Sequence, residues 1–278
     1  MVENRGWMFW LTHLLLIAGI AVICFPIWLT FVASTVTQED ILTPPLPMVP
    51  GPHLVENYSK ALFAGVNAPV AVMLLNSTIM ALGITIGKIA ISILSAYAIV
   101  YFRFPLRMLF FWAVFLTLML PVEVRIVPTY EVVASLGLLN SYPGLILPLV
   151  ASATATFLFR QFFMTVPDEL LEAARVDGAG PMRFFFDILL PLSRTNIAAL
   201  FVILFIYGWN QYLWPLLVTT EPAMNTIVMG MKQMMPQSDD YGEWPVIMAT
   251  AILAVLPPIA VVVLMQRLFV KGLVETEK

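Results

Sequence analysis

Few side chains in this sequence are of a type that does chemistry, and several of them stand inside apolar runs. Lys88 lies 16 residues into the run 72–100, roughly 24 Å along a helix that rises 1.5 Å per residue. An ionisable group so placed is a functional candidate by default. It reads either as an ammonium facing the path of an anionic solute or as a structural lysine, paired with a neighbour or snorkelling toward water. Arg125, in "PVEVRIVP" at the end of the third run, carries the planar fork that suits phosphate. Glu123 and Glu131 are its alternative partners. Asn210 and Gln211 stand side by side in "FIYGWNQYLWPLL". An interfacial aromatic belt accounts for Trp209, Tyr212 and Trp214, but not for two adjacent amides, which suit the hydroxyls of a polar solute. Asn76 and Ser77, at the start of the second run, read as helix caps.

Enzymatic chemistry has little to work with. Gly87-Lys88 is not a phosphate-binding loop, because Gly83 is one residue too close and Ile89 stands where Ser or Thr is needed. The two histidines, His13 and His53, are far apart, and Cys24 is the one cysteine. No zinc site, no Cys/His nucleophile and no intrachain disulfide is expected. Neither a catalytic residue nor a metal ligand is assigned.

Composition sets the class. Apolar residues make up 60% of the 278 and charged ones 11%, where soluble domains run about 45–50% and about 25%. Lipid must therefore be part of the solvent, and one integral membrane domain, 1–278, is expected. The net charge of −3 speaks against a nucleic-acid partner. The first apolar run, 8–32, is too long for the h-region of a signal peptide and reads as an uncleaved span.

A spanning helix needs about 20 apolar residues. Six segments qualify, at about 8–32, 72–100, 108–128, 145–165, 196–218 and 246–269. The fold class expected is all-α: a polytopic membrane protein of six transmembrane helices. Of fourteen Lys and Arg residues, ten fall on one side of this arrangement and three (Lys60, Arg125, Lys232) on the other, with Lys88 inside a span. Positive residues collect on the cytoplasmic side. Both termini and the loop 166–195 are therefore expected in the cytoplasm, and the loops 33–71, 129–144 and 219–245 outside. Gly208 and Pro215 make a bend in the fifth span plausible.

The loop 166–195 holds "PDELLEAARVDGAGPMRFFFDILLP". Thr165 with Asp168 resembles a capping box, with Pro167 in the first turn. A short helix follows. Its small residues Ala173 and Ala174, next to Gly178, are expected to form one face onto which another backbone can close. Gly178 stands where a helix ends in the left-handed conformation. Pro181 starts a second helix, carrying Phe184, Phe185 and Phe186, that ends before Pro191. A helix of about 12 residues is marginal alone in water, so a soluble partner is expected to receive it.

These residues carry a resemblance. Glu172-Ala173-Ala174, three residues, Gly178, nine residues, Ile188, one residue, Leu190-Pro191 resembles the EAA signature of permease subunits in bacterial binding-protein-dependent ABC importers. "NSTIMALGITIGKIAISILSAYAIVYFRFP" and "QRLFVKGLVE" resemble the second span and the C-terminal tail of that family. Within it, "FRFPLRMLFFW", "LMLPVEVRI", "ASATATFLFRQFFMT" and "FIYGWNQYLWPLL" are most similar to members that import sn-glycerol-3-phosphate. The resemblance implies the type I importer permease fold in the inner membrane. It implies a heterodimer with a second permease subunit, two copies of a cytoplasmic ATPase that binds ATP and Mg, and a periplasmic substrate-binding protein. Glu172, Ala173, Ala174, Asp177 and Gly178 would couple to the ATPase. Lys88, Arg125, Asn210 and Gln211 are the substrate-path candidates. Glycerophosphodiesters and neutral sugars remain alternative cargoes. An ion-coupled secondary transporter remains the alternative of another class, though it would need no coupling loop.

Overall fold

Backbone N–H and C=O groups facing lipid must be satisfied within their own segment, which leaves helices as the economical answer for long apolar runs. The computed structural model describes residues 6–64, 68–116, 122–236 and 242–275, and among these there is no strand. The helices are α1 (Gly6–Ala33), α2 (Gln38–Leu42), α3 (Leu54–Ser59), α4 (Val70–Tyr101), α5 (Arg107–Leu116), α6 (Val122–Ser135), α7 (Tyr142–Ile146), α8 (Ala153–Phe163), α9 (Asp168–Val176), α10 (Pro181–Phe184), α11 (Leu190–Leu192), α12 (Arg194–Trp209), α13 (Leu213–Val218), α14 (Ile227–Met234) and α15 (Trp244–Glu275).

Among the described residues, three helical stretches are long and apolar enough to cross a bilayer: Gly6–Ala33, Val70–Tyr101 and Trp244–Gln266. Two bent pairs raise the number to as many as five. Tyr142–Leu149 meets Ala153–Phe163 at 50°, and Pro181–Leu192 meets Arg194–Trp209 at 70°. Elsewhere the helices depart from the expected limits. Residues 117–121 of the third expected span lie outside the described ones, and α6 runs on through Pro128 to Ser135, into residues expected to be loop. The fifth expected span breaks at 210–212 into α12 and α13, between Gly208 and Pro215.

The chain divides into two compact units, 1–72 with 230–256 and 73–229 with 257–278. In the first, α1 buries only Val32 and Ala33 at its end; its other side chains are left to lipid or to another apolar chain. Side chains stitch the loop after α1 together. Thr37 caps α2 in a reciprocal box with Asp40, and its hydroxyl holds the Asp40 carboxyl below the usual carboxylate range. Asn57 donates to the carbonyls of Ser34 and Val36, and Lys60 pairs with Glu243 at 2.6 Å.

The second unit is organised around α4. Asn76 and Ser77 do not cap it, because they lie inside it. Asn76 donates to the carbonyls of Ala223 and Asn225 and accepts from the Tyr142 hydroxyl, while Ser77 accepts from the Ile227 amide. They tie α4 to the segment 223–227. Further along, Gly208 of α12 approaches so closely that a Cβ there would stand 3.0 Å from the Ala81 Cα. Small residues at such a crossing let helix backbones meet.

Candidate functional site

Two polar regions of the second unit stand out, one at the surface and one buried. At the surface, the capping box expected from Thr165 and Asp168 does not form. The Thr165 hydroxyl donates to the Phe162 carbonyl at 2.7 Å, and Pro167, with φ fixed near −59°, holds the N-cap position without a side-chain cap bond. The dipole of α9 is complemented by Asp168 and Glu169 in its first turn and Arg175 in its last. Gly178 closes the helix at φ +74°. Its amide donates to the Arg175 carbonyl at 3.0 Å, and the Ala179 amide donates to Ala174 at 2.8 Å. This pair of bonds is the Schellman closure, which needs a left-handed residue at that point.

The faces of α9 correct one expectation. Ala174 is 4% exposed and joins a cluster with Tyr97, Phe163, Phe184, Phe185 and Leu189, with Leu171 packed against it. Ala173 is exposed. Successive helical residues project about 100° apart, so two adjacent alanines do not share a face. The outward stripe is Glu169, Glu172, Ala173 and Val176, spaced i, i+3, i+4, i+7. Val176 is an apolar side chain left 88% exposed.

Behind α9 the chain does not stop before Pro191. α10 widens into a π-helical turn, Phe185–Leu189, and then into α11, with Pro191 in a first turn where its missing amide is tolerated. Phe184 and Phe185 are both buried, and Phe186 is exposed. Two rings from the end of α4 grip this element. The Tyr97 hydroxyl donates to the Pro181 carbonyl at 2.7 Å, the Tyr97 ring lies 5.0 Å from Phe185, and Tyr101 lies 5.3 Å from Phe184.

The buried region lies where α4 meets α12. Lys88 is 6% exposed, and its Nζ rests 3.7 Å above the centre of the Tyr207 ring. Gln211, one turn after Tyr207, donates to its carbonyl at 3.1 Å. Arg125 precedes Ile126, which packs with Tyr207 against the cluster around Trp214. Arg125 also borders a cavity of about 40 Å³ with Thr129, Pro148 and Trp214. Three of the four sequence candidates thus gather around one tyrosine. Asn210 is exposed at the C-cap of α12, and among the described residues no side-chain bond joins it to the cluster. Neither Lys88 nor Arg125 makes an ion pair with a described residue. Glu131 is exposed, and the Glu123 side chain lies outside the described residues.

The energetics of this cluster do not close by themselves. Taking an ammonium out of water costs several kcal/mol even after relaxation, and a desolvated cation–π contact returns about 2 kcal/mol. A second cation nearby adds repulsion. Among the described residues, the cluster is positive charge without its counter-charge. Tyr207 is its centre, and the sequence alone does not single that residue out from the other aromatic residues of its span. The usable signal was its spacing four residues before Gln211.

Comparison with known proteins adds the family. The model of the family described as "Binding-protein-dependent transport system inner membrane component" matches residues 88–275. The chain is 62% identical over 282 residues to the sn-glycerol-3-phosphate transport system permease protein UgpE of Agrobacterium fabrum, and 62% identical to that of Rhizobium meliloti, covering 100% of both chains in each case. The corresponding protein of Yersinia pestis is 60% identical over 281 residues, again with 100% of each chain covered. Among solved structures, a chain of a bacterial ABC transporter involved in the import of the acidic polysaccharide alginate superimposes with a TM-score of 0.81 at 18% identity, covering 96% of this chain and 98% of that one. That likeness supports the helical permease fold. The chain belongs to the family of inner-membrane components of binding-protein-dependent transport systems.

Proposed function

We propose that this chain is one permease subunit of an ATP-driven importer that carries sn-glycerol-3-phosphate across a bacterial inner membrane by alternating access. The observation that carries the reading is identity of 60–62% over the whole chain to permeases named for that solute. In this reading the chain forms six spans with both termini in the cytoplasm, in keeping with the ten-to-three division of its positive residues. It pairs with a second permease subunit, so that the path lies between the two. Two copies of a cytoplasmic ATPase bind ATP and Mg, and this chain itself holds no cofactor. A periplasmic binding protein delivers the solute, chiefly against the loop 219–245.

The exposed stripe of α9, with Glu172 and Ala173, is the surface offered to the ATPase. Ala174, Asp177 and Gly178 hold its shape. Closure of the ATPase pair would draw α9 inward and turn the spans outward. Lys88, Arg125, Asn210 and Gln211 are assigned to the solute path. The ion-coupled transporter is the weaker reading, because it gives α9 no purpose.

The test is ATP hydrolysis by the four-protein complex in liposomes, with the binding protein empty or loaded with sn-glycerol-3-phosphate, glycerophosphocholine or maltose. Stimulation by the phosphate compounds alone is the expected result. Stimulation by maltose alone would overturn the solute and keep the importer. No stimulation by any of them in an assembled complex would remove the importer reading.

A further inference from the structure

Resting on the phosphate-compound reading of the path, we infer that Lys88, Arg125 and Tyr207 form a subsite for a phosphate monoester, in which Tyr207 is a positioning residue that holds the Lys88 ammonium on its ring. Three observations carry this. The Lys88 side chain is almost wholly buried, yet its described polar neighbour is a ring face and not a carboxylate. A second cation, Arg125, lines a cavity with Trp214, and Trp214 and Tyr207 belong to one packed cluster. Neither cation is neutralised by a described residue. A ring face attracts an ammonium but leaves its N–H donors unfilled, so the lysine is held in place without being satisfied. A phosphate monoester carries about −1.5 to −2 charge at neutral pH and three acceptor oxygens. Such a group matches two cations, one a point charge and one a planar fork. A phosphodiester carries a single charge and would leave one cation uncompensated. The subsite therefore favours the monoester. Gln211, bonded to the Tyr207 carbonyl, braces the tyrosine from the next turn.

A cavity of about 40 Å³ lies beside Arg125, lined by Thr129, Pro148, Leu149 and Trp214.

The experiment measures uptake by the reconstituted four-protein complex at varied sn-glycerol-3-phosphate and, separately, varied glycerophosphocholine. Lys88→Met is expected to raise KM for the monoester about tenfold or more, in line with loss of a charge-assisted bond, and to bring the monoester-to-diester ratio toward one. Tyr207→Leu should raise the monoester KM severalfold, while Tyr207→Phe, which keeps the ring, stays within about twofold of wild type. Tyr207→Leu should add nothing to Lys88→Met, since the ring acts through the lysine. Lys88→Arg keeps the charge and should recover most of the affinity, which guards against a folding defect in the methionine variant. Glu123→Gln should leave KM unchanged; a KM shift there as large as that of Lys88→Met would make Glu123 the counter-charge and overturn the subsite. Equal changes for monoester and diester in every variant would also overturn it, leaving the importer reading intact. Wild-type liposomes that respond to neither phosphate compound would overturn that reading itself.

Discussion

The two polar regions of the second unit are built on opposite plans. α9 presents Glu169, Glu172, Ala173 and Val176 outward and uses the buried Ala174 and Leu171 to hold itself against its own chain. The cluster around Tyr207 buries the Lys88 ammonium and leaves it without a counter-charge among the described residues. A surface that will meet another folded chain can be completed in advance, because water satisfies it meanwhile. A site for a small anion cannot be, because the missing charge is the ligand. The first region should therefore fail through shape, and the second through affinity.

The largest effect expected separates shape from composition in α9. Gly178→Pro places a residue confined near φ −65° where the chain holds φ +74°. It should abolish uptake while the chain still co-purifies with its partners; undiminished uptake would break the comparison on the α9 side. A finer cut compares the two adjacent alanines. Ala174→Leu overpacks a buried position, at a cost of about 1–3 kcal/mol, and should lower the melting temperature of the detergent-solubilised chain. Ala173→Leu should leave that temperature alone and lower solute-stimulated ATP hydrolysis. If both variants melt like the wild type, Ala174 is not the internal face.

On the other side, Arg125→Gln should raise KM for sn-glycerol-3-phosphate severalfold, less than Lys88→Met does, because Arg125 is exposed and partly screened. An Arg125 effect exceeding that of Lys88 would shift the centre of the site to α6. The smallest effect belongs to a pair outside both regions. Lys60 and Glu243 are each about half exposed, and such pairs contribute about 0.2–1 kcal/mol. Lys60→Ala should change neither uptake nor melting beyond about 1 kcal/mol, and serves as the baseline for the others.

The same contrast explains what could be read in advance. The α9 region is local: Pro167, the acidic first turn and Gly178 lie within twelve residues and determine one another through hydrogen bonds along one chain segment. Even there, two details escaped. Thr165 turned back to Phe162 instead of capping forward, and the π turn at Phe185–Leu189 carried the chain past Pro191. The π turn packs against Tyr97 through Phe185, a contact no local rule contains. The cluster is non-local. Lys88 and Arg125 are 37 positions apart, and the sequence put one deep in a span and the other at a span's end. Tyr207 reaches Lys88 because Gly208 lets α12 lie against Ala81. Periodicity marks a helix and its apolar extent, but not where that helix breaks or which neighbour it crosses. The reading of Asn76 and Ser77 as caps failed for the same reason, since the true start of α4 lies at Val70 and their partners are 66 to 150 residues away.

One consequence follows from the continuity of α4. Tyr97 and Lys88 are nine residues apart on an unbroken helix, which is about 14 Å and two and a half turns. They therefore project from nearly opposite sides of the same rod. Tyr97 is fastened to Pro181 and Phe185, and Lys88 leans on Tyr207. A push delivered at the tyrosine end cannot be absorbed by a hinge along the way, so it reaches the lysine as a tilt or a twist of the whole cylinder. In the function proposed above, the helix would work as a crank between a fuel-driven contact and a cargo contact, and its stiffness would set how much of the stroke is delivered.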